Sequence, residues 1–166
     1  MFTLQRILGL LATLCCVSIL TTANTAARWT LQTTGSNVLI KDAVTGEYLN
    51  MYFKAPNATL HTGTGDASQW KVLRESDKTA ITAPEENVDY LLQTQMNVSL
   101  NQYAYVSADK GIQTKADADA GSIFRFKAAP EGGFYLYHVE TDSYIQQGAH
   151  HVNLTVGALS AETPEE

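Results

Sequence analysis

Five residues within one short stretch, Asp42, Asn50, Tyr52, Asn57 and His61, combine the groups that hold a sugar. Carboxylate, amide and imidazole offer planar hydrogen-bonding partners to hydroxyls, and a tyrosine ring offers the flat plate on which the C–H face of a pyranose stacks. The competing account is structural. Asp42 then opens an ordinary turn with Thr45-Gly46, and Tyr52 is partly buried.

Other chemistry has less to work with. Covalent catalysis needs a thiol or hydroxyl beside a base, yet Cys15 and Cys16 both lie in the N-terminal apolar run and no G-x-S-x-G elbow occurs. His61 and His138 stand alone. His150 and His151 are adjacent, and on a strand neighbouring side chains point to opposite faces, so the pair is not expected to chelate one ion. Glu85-Glu86 has the composition for acid and base work on a sugar, but it sits in a polar stretch that reads as a solvated loop. Gly63-Thr64-Gly65 lacks the third glycine and the strand-to-helix setting of a phosphate cradle. The expectation is a non-catalytic chain with no metal site and no cofactor.

Residues 1 to about 27 read as a cleaved signal peptide. Arg6 is followed by an apolar run of 14 residues from Ile7 to Leu20, and then by the small residues Thr21 to Ala27. At about 1.5 Å per residue the run is too short for a hydrocarbon core of about 30 Å, which argues against a permanent anchor. The remaining chain, 28–166, has no cysteine, yet it is long enough for one hydrophobic core without staples. Without Arg6, 10 basic residues face 17 acidic ones, a net charge of −7 with histidine neutral. Such a field repels phosphate backbones and anionic bilayers, so neither nucleic acid nor a membrane is an expected partner. The end of the chain, 161–166, is an acidic tail with Pro164. Asn57, Asn97 and Asn153 stand in glycosylation sequons; Asn57 follows Pro56 in a turn, whereas Asn153 is expected inside a strand.

After Ala27 helical periodicity gives way to short apolar runs rich in Tyr, Val, Ile and Thr between turn residues, the signature of an all-β chain. These runs repeat. Three units open on an aromatic, a polar and an apolar residue: Trp29-Thr30-Leu31, Trp70-Lys71-Val72 and Phe124-Arg125-Phe126. An apolar triplet follows in each, Val38-Leu39-Ile40, Tyr90-Leu91-Leu92 and Tyr135-Leu136-Tyr137. Next comes a tyrosine with an aliphatic neighbour, Tyr48-Leu49, Tyr105-Val106 and Tyr144-Ile145. A fourth strand fits around Leu60, Ile112 and Leu154. The surplus of the middle unit falls in two polar stretches, Glu75 to Glu86 and Gln93 to Asn101, as loop insertions should.

Four strands taken three times, closed around a pseudo-threefold axis, remove most exposed sheet edges. The pattern resembles the β-trefoil fold, with units at about 28–69, 70–123 and 124–160; an immunoglobulin-like β-sandwich is the rival fold. Trp29, Trp70 and Phe124 are expected in the core.

Gly65 to Val72 is similar to the end of a ricin-B-type lectin repeat, whose mark is glutamine, any residue, tryptophan. Here Ser68 and Ser122 stand where that glutamine belongs. Asn50, Ser107 and Gln146 stand where the family places an acidic sugar ligand. Together with the leader, the resemblance implies a secreted, monomeric binding module for an extracellular glycan or glycoprotein; these departures tell against the family's usual galactose site, and the residues' own chemistry puts the expected site at Asp42, Asn50, Tyr52, Asn57 and His61 of unit one. A second class is also similar: the cysteine-poor fungal β-trefoil protease inhibitors, which offer a preorganised loop to a protease. Lys78, in the Glu75 to Glu86 stretch, is the residue such a reading would aim at a trypsin-like pocket.

Overall fold

The computed structural model describes residues 25–51, 60–64, 68–96 and 102–159. Tyr52, Asn57, Asn97, the acidic tail and all of the expected leader up to residue 24 lie outside the described residues. Within them the chain forms thirteen strands and one short 3-10 turn, Ala120–Ser122.

Six strands form the barrel: β1 (Arg28–Thr34), β2 (Asn37–Asp42), β5 (Trp70–Arg74), β7 (Tyr90–Thr94), β10 (Phe124–Ala128) and β11 (Phe134–His138). They pair antiparallel around a ring, β1 with β2, β2 with β5, β5 with β7, β7 with β10, β10 with β11 and β11 back to β1. The ring closes without an edge, so the sandwich is excluded. Three hairpins cap it: β3 (Tyr48–Met51) with β4 (Leu60–Gly63), β8 (Tyr103–Val106) with β9 (Ile112–Lys115), and β12 (Ser143–Ile145) with β13 (Val156–Gly157).

The threefold repeat is visible in the register. Each opening aromatic crosses to the second strand of the preceding unit: Trp29 opposite Phe134, Trp70 opposite Val38, and Phe124 opposite Tyr90. All three rings are fully buried. A ring of this kind removes roughly 150–250 Å² from water, an upper bound of about 4–6 kcal/mol each. Leu60, Ile112 and Leu154, also buried, meet near the axis, where Leu154 N–H donates to the Leu60 carbonyl (2.8 Å) and Ile112 N–H to the Leu154 carbonyl (3.0 Å). β4, β9 and the irregular chain just before β13 are therefore hydrogen-bonded to one another, which links the three units.

Two expectations need correction. The 75–86 stretch is not all loop: β6 (Ala80–Ile81) folds back onto β5, with Ile81 opposite Val72 and Ala80 opposite Leu73. Asn153 is not inside a strand; it is exposed in irregular chain between a turn and the bridge at Thr155.

Gly133 shows why the third unit opens as it does. Its φ is +72°, and a Cβ there would sit 2.7 Å from the Trp29 carbonyl oxygen, so only glycine lets the β10–β11 hairpin lie against β1.

Candidate functional site

Three of the unit-one residues, Asp42, Asn50 and His61, turn inward. Asp42 is fully buried at the end of β2, and its Oδ1 accepts from the Val44 and Thr45 backbone N–H groups at 2.8 and 3.1 Å. Its Oδ2 accepts from the Gln147 side-chain amide at 2.5 Å, which ties unit one to unit three. Asn50 and His61 face each other across β3 and β4, and each keeps only 6% of its surface exposed. The Asn50 Oδ1 accepts from Ser68 N–H (2.8 Å), while the Ser68 hydroxyl accepts from Met51 N–H (3.0 Å). This clamp occupies the place of the lectin repeat's glutamine, and beside it the Trp70 indole donates to the Leu49 carbonyl (3.0 Å). Burial lowers the His61 pKa first, and the charges of His151 and His150 lower it further against the opposing pull of Glu47. Asp42 and Asn50 thus spend polar atoms on the fold, and His61 is buried beside them.

The open surface lies elsewhere. Leu136 is fully buried, so strand alternation drives Tyr135 and Tyr137 to the outer face of β11, where Tyr144 of β12 meets both rings. The Tyr144 centroid is 6.0 Å from that of Tyr135 in a T-shaped contact and 5.2 Å from that of Tyr137. Lys127 lays its ammonium 3.8 Å from the Tyr137 centroid and 5.6 Å from that of Tyr144.

Beside these rings runs a cleft of about 600 Å³, lined by Tyr135, Tyr144, Arg28, Glu131, Gln147 and Lys127 among others. Arg28 is set there by hydrogen bonds to the Glu131 and Gly132 carbonyls and by an ion pair of 3.5 Å with the Glu131 carboxylate. The volume suits a one- or two-ring ligand, and the walls pair aromatic faces with a guanidinium, a carboxylate and an amide. Sequence reasoning missed this cleft although part of the signal was present: in Tyr135-Leu136-Tyr137 the aliphatic residue claims the core and leaves the tyrosines outside. Its opposite wall comes from the far end of the chain and had no local signal.

Lys78 lies in a curled turn. Its φ is +60°, its N–H donates to the Arg74 carbonyl (2.8 Å), and its ammonium is held by Glu75. A substrate-like loop needs extended backbone instead.

The histidines also differ from expectation. His150 and His151 do not sit on one strand facing opposite ways; His151 has φ +57°, which breaks the alternation and stacks the two rings at 3.8 Å. His61 meets His151 edge to face at 5.1 Å.

No protein-family profile matches the chain, and no curated protein matches its sequence. Among solved structures it is similar to a designed threefold-symmetric protein, ThreeFoil, with a TM-score of 0.58 and 13% identity over 76% of this chain and 91% of that one. The fold is a β-trefoil. At that identity the likeness speaks for architecture alone, and it agrees with the closed barrel and the threefold register.

Proposed function

We propose that this chain is a secreted, non-catalytic β-trefoil that binds carbohydrate, and that the site is the tyrosine cleft of the third unit rather than the turns of the first. The observation that carries the reading is the cleft itself: Tyr135 and Tyr144 offer ring surface beside Arg28, Glu131 and Gln147, within a volume suited to one or two sugar rings. Carbohydrate recognition needs this mixture, because a pyranose presents an apolar face and a rim of hydroxyls.

Secretion rests on the N-terminal pattern. Thr25 to Ala27 belong to the packed domain: Ala26 and Ala27 are buried, Ala27 N–H donates to the Ile145 carbonyl (2.9 Å), and Gln147 N–H donates to the Thr25 carbonyl (2.7 Å). A peptidase cutting after residue 27 would remove those contacts. Cutting after Ala23, with Thr21 two positions earlier, keeps small residues where the enzyme requires them and spares the fold.

Protease inhibition remains the alternative, but the curled, self-paired turn at Lys78 lends it little support. A glycan array probed with the wild type, Tyr144→Ala and Asn50→Ala tests the choice. Carbohydrate binding that is lost in Tyr144→Ala and kept by folded Asn50→Ala supports the cleft. No binding to any glycan, together with inhibition of a serine or cysteine protease in parallel titrations, would replace this reading with the other.

A further inference from the structure

The walls of the tyrosine cleft hold more chemistry than a plain sugar ring can use. Among the described residues three large apolar side chains are exposed, and two of them, Val44 (65%) and Leu159 (41%), line this cleft. Solvated apolar side chains gathered at a concave site mark a place that a ligand covers. The hydroxyl rim of a hexose has nothing to set against them.

Val44 shares its anchor with a hydrogen-bonding group. The buried Asp42 carboxylate accepts from the Val44 backbone N–H with one oxygen (2.8 Å) and from the Gln147 side-chain amide with the other (2.5 Å). An ionised carboxylate can only accept, so the NH2 end of Gln147 faces Asp42 and its amide oxygen is left as an acceptor for the cleft that it lines. One carboxylate thereby anchors an acceptor and an exposed isopropyl group. An acylated amine offers the matching pair, an amide N–H and a methyl group.

Charge narrows the class further. Lys127 lines the same cleft with its ammonium over Tyr137 and Tyr144, and among the described residues it has no carboxylate partner. Glu131, the carboxylate of the cleft wall, pairs with Arg28 at 3.5 Å, so those two charges offset each other. The Asp42 charge lies behind Gln147 and is spent on its three hydrogen bonds. The ammonium is the charge left over. The chain as a whole is acidic, with a net charge of −6, which disfavours polyanions. Screening over about 8 Å at physiological ionic strength lets a single carboxylate beside Lys127 respond mainly to that ammonium.

Resting on the carbohydrate reading of this cleft, we propose that its ligand is a sugar acid bearing an N-acyl group. The ring lies against Tyr135 and Tyr144, the carboxylate meets the Lys127 ammonium, the amide N–H donates to the Gln147 oxygen, and the acyl methyl covers Val44 and Leu159. A neutral hexose would leave the ammonium and both aliphatic side chains without a partner.

The test is titration calorimetry of the full-length secreted protein with a short glycan ending in N-acetylneuraminic acid, its carboxyl methyl ester, the analogue with a hydroxyl in place of the acylamino group, and the same glycan lacking the terminal residue. The acid should bind about tenfold more tightly than the ester, the effect of one charge-assisted hydrogen bond, and about fivefold more tightly than the hydroxyl analogue. Its binding should weaken as salt is raised. Lys127→Gln should erase the preference for acid over ester, and Lys127→Arg should keep it. Val44→Ser, at an exposed position that the fold tolerates, should erase the preference for the acylated sugar. Equal affinity for acid and ester, or for acid and hydroxyl analogue, overturns the inference, as does an acid preference that survives Lys127→Gln. Should that happen while Tyr144→Ala still abolishes binding of a neutral glycan, the carbohydrate reading of the cleft stands without this ligand class; binding of no glycan removes both.

Discussion

Replacing Asp42 with alanine separates a structural carboxylate from a sugar ligand. The wild-type group is fully buried and accepts three hydrogen bonds, from Val44 N–H, Thr45 N–H and the Gln147 amide. A hydrogen bond to a charged acceptor contributes about 1.5–3 kcal/mol, less where water can replace it. Val44 and Thr45 are exposed residues, so their N–H groups rehydrate when the carboxylate is gone. Gln147 is half-buried, and it loses its link to unit one. The sum is a destabilisation of about 3 kcal/mol, which for a domain of this size lowers Tm by roughly 10 °C. Asp42→Asn keeps a carbonyl oxygen for the turn but turns a donor toward Gln147, and should lose about half as much. Urea and thermal unfolding followed by tryptophan fluorescence give both numbers, and a glycan-binding assay below both melting transitions gives the rest. Melting within about 1 °C of wild type, together with lost carbohydrate binding, would refute the structural assignment and return Asp42 to the site.

Gly133→Ala places a Cβ against the Trp29 carbonyl at a positive φ and should cost about 2–4 kcal/mol, read as a lower urea midpoint. Tyr144→Ala removes a half-buried outer ring and should leave the unfolding midpoint within about 1 kcal/mol of wild type while weakening carbohydrate binding at least tenfold in titration calorimetry. His138 is fully buried between Gly121 and Thr141, and burial lowers its pKa despite the backbone hydrogen bond to Gly121 and the charge of Glu140 that oppose the shift. The unfolded chain then takes up the proton more readily than the folded one, so stability is complete above the ordinary histidine pKa of about 6.5 and falls as pH drops below it. Unfolding midpoints measured from pH 7.5 to 5 should decline in the wild type and decline less steeply in His138→Gln.

Strand alternation and the three aromatic openers were legible without coordinates, because both are local. A residue that alternates with polar neighbours must choose one face of a pleated strand, and Trp29, Trp70 and Phe124 could hardly be covered except in a core. The insertion was legible as polar sequence, but β6 was not, since Ala80 and Ile81 are too few to carry a period and gain their partners only when β5 lies beside them.

The roles of the polar residues depended on contacts across the chain. Asp42 and Asn50 have the composition of a sugar site, and nothing in their own neighbourhood reveals that Gln147 and Ser68, many residues away, donate hydrogen bonds to their buried oxygens. Arg28 and Tyr144 are more than a hundred residues apart and line one cleft because β1 pairs with β11 and β11 with β12. Likewise His61 reaches His151 only through the bridge between units one and three. By itself the sequence determined the periodicity, the core rings and the threefold repeat, all properties of near neighbours. Which polar groups face water was decided by barrel closure, because exposure depends on what the distant strands bring to each residue's open side.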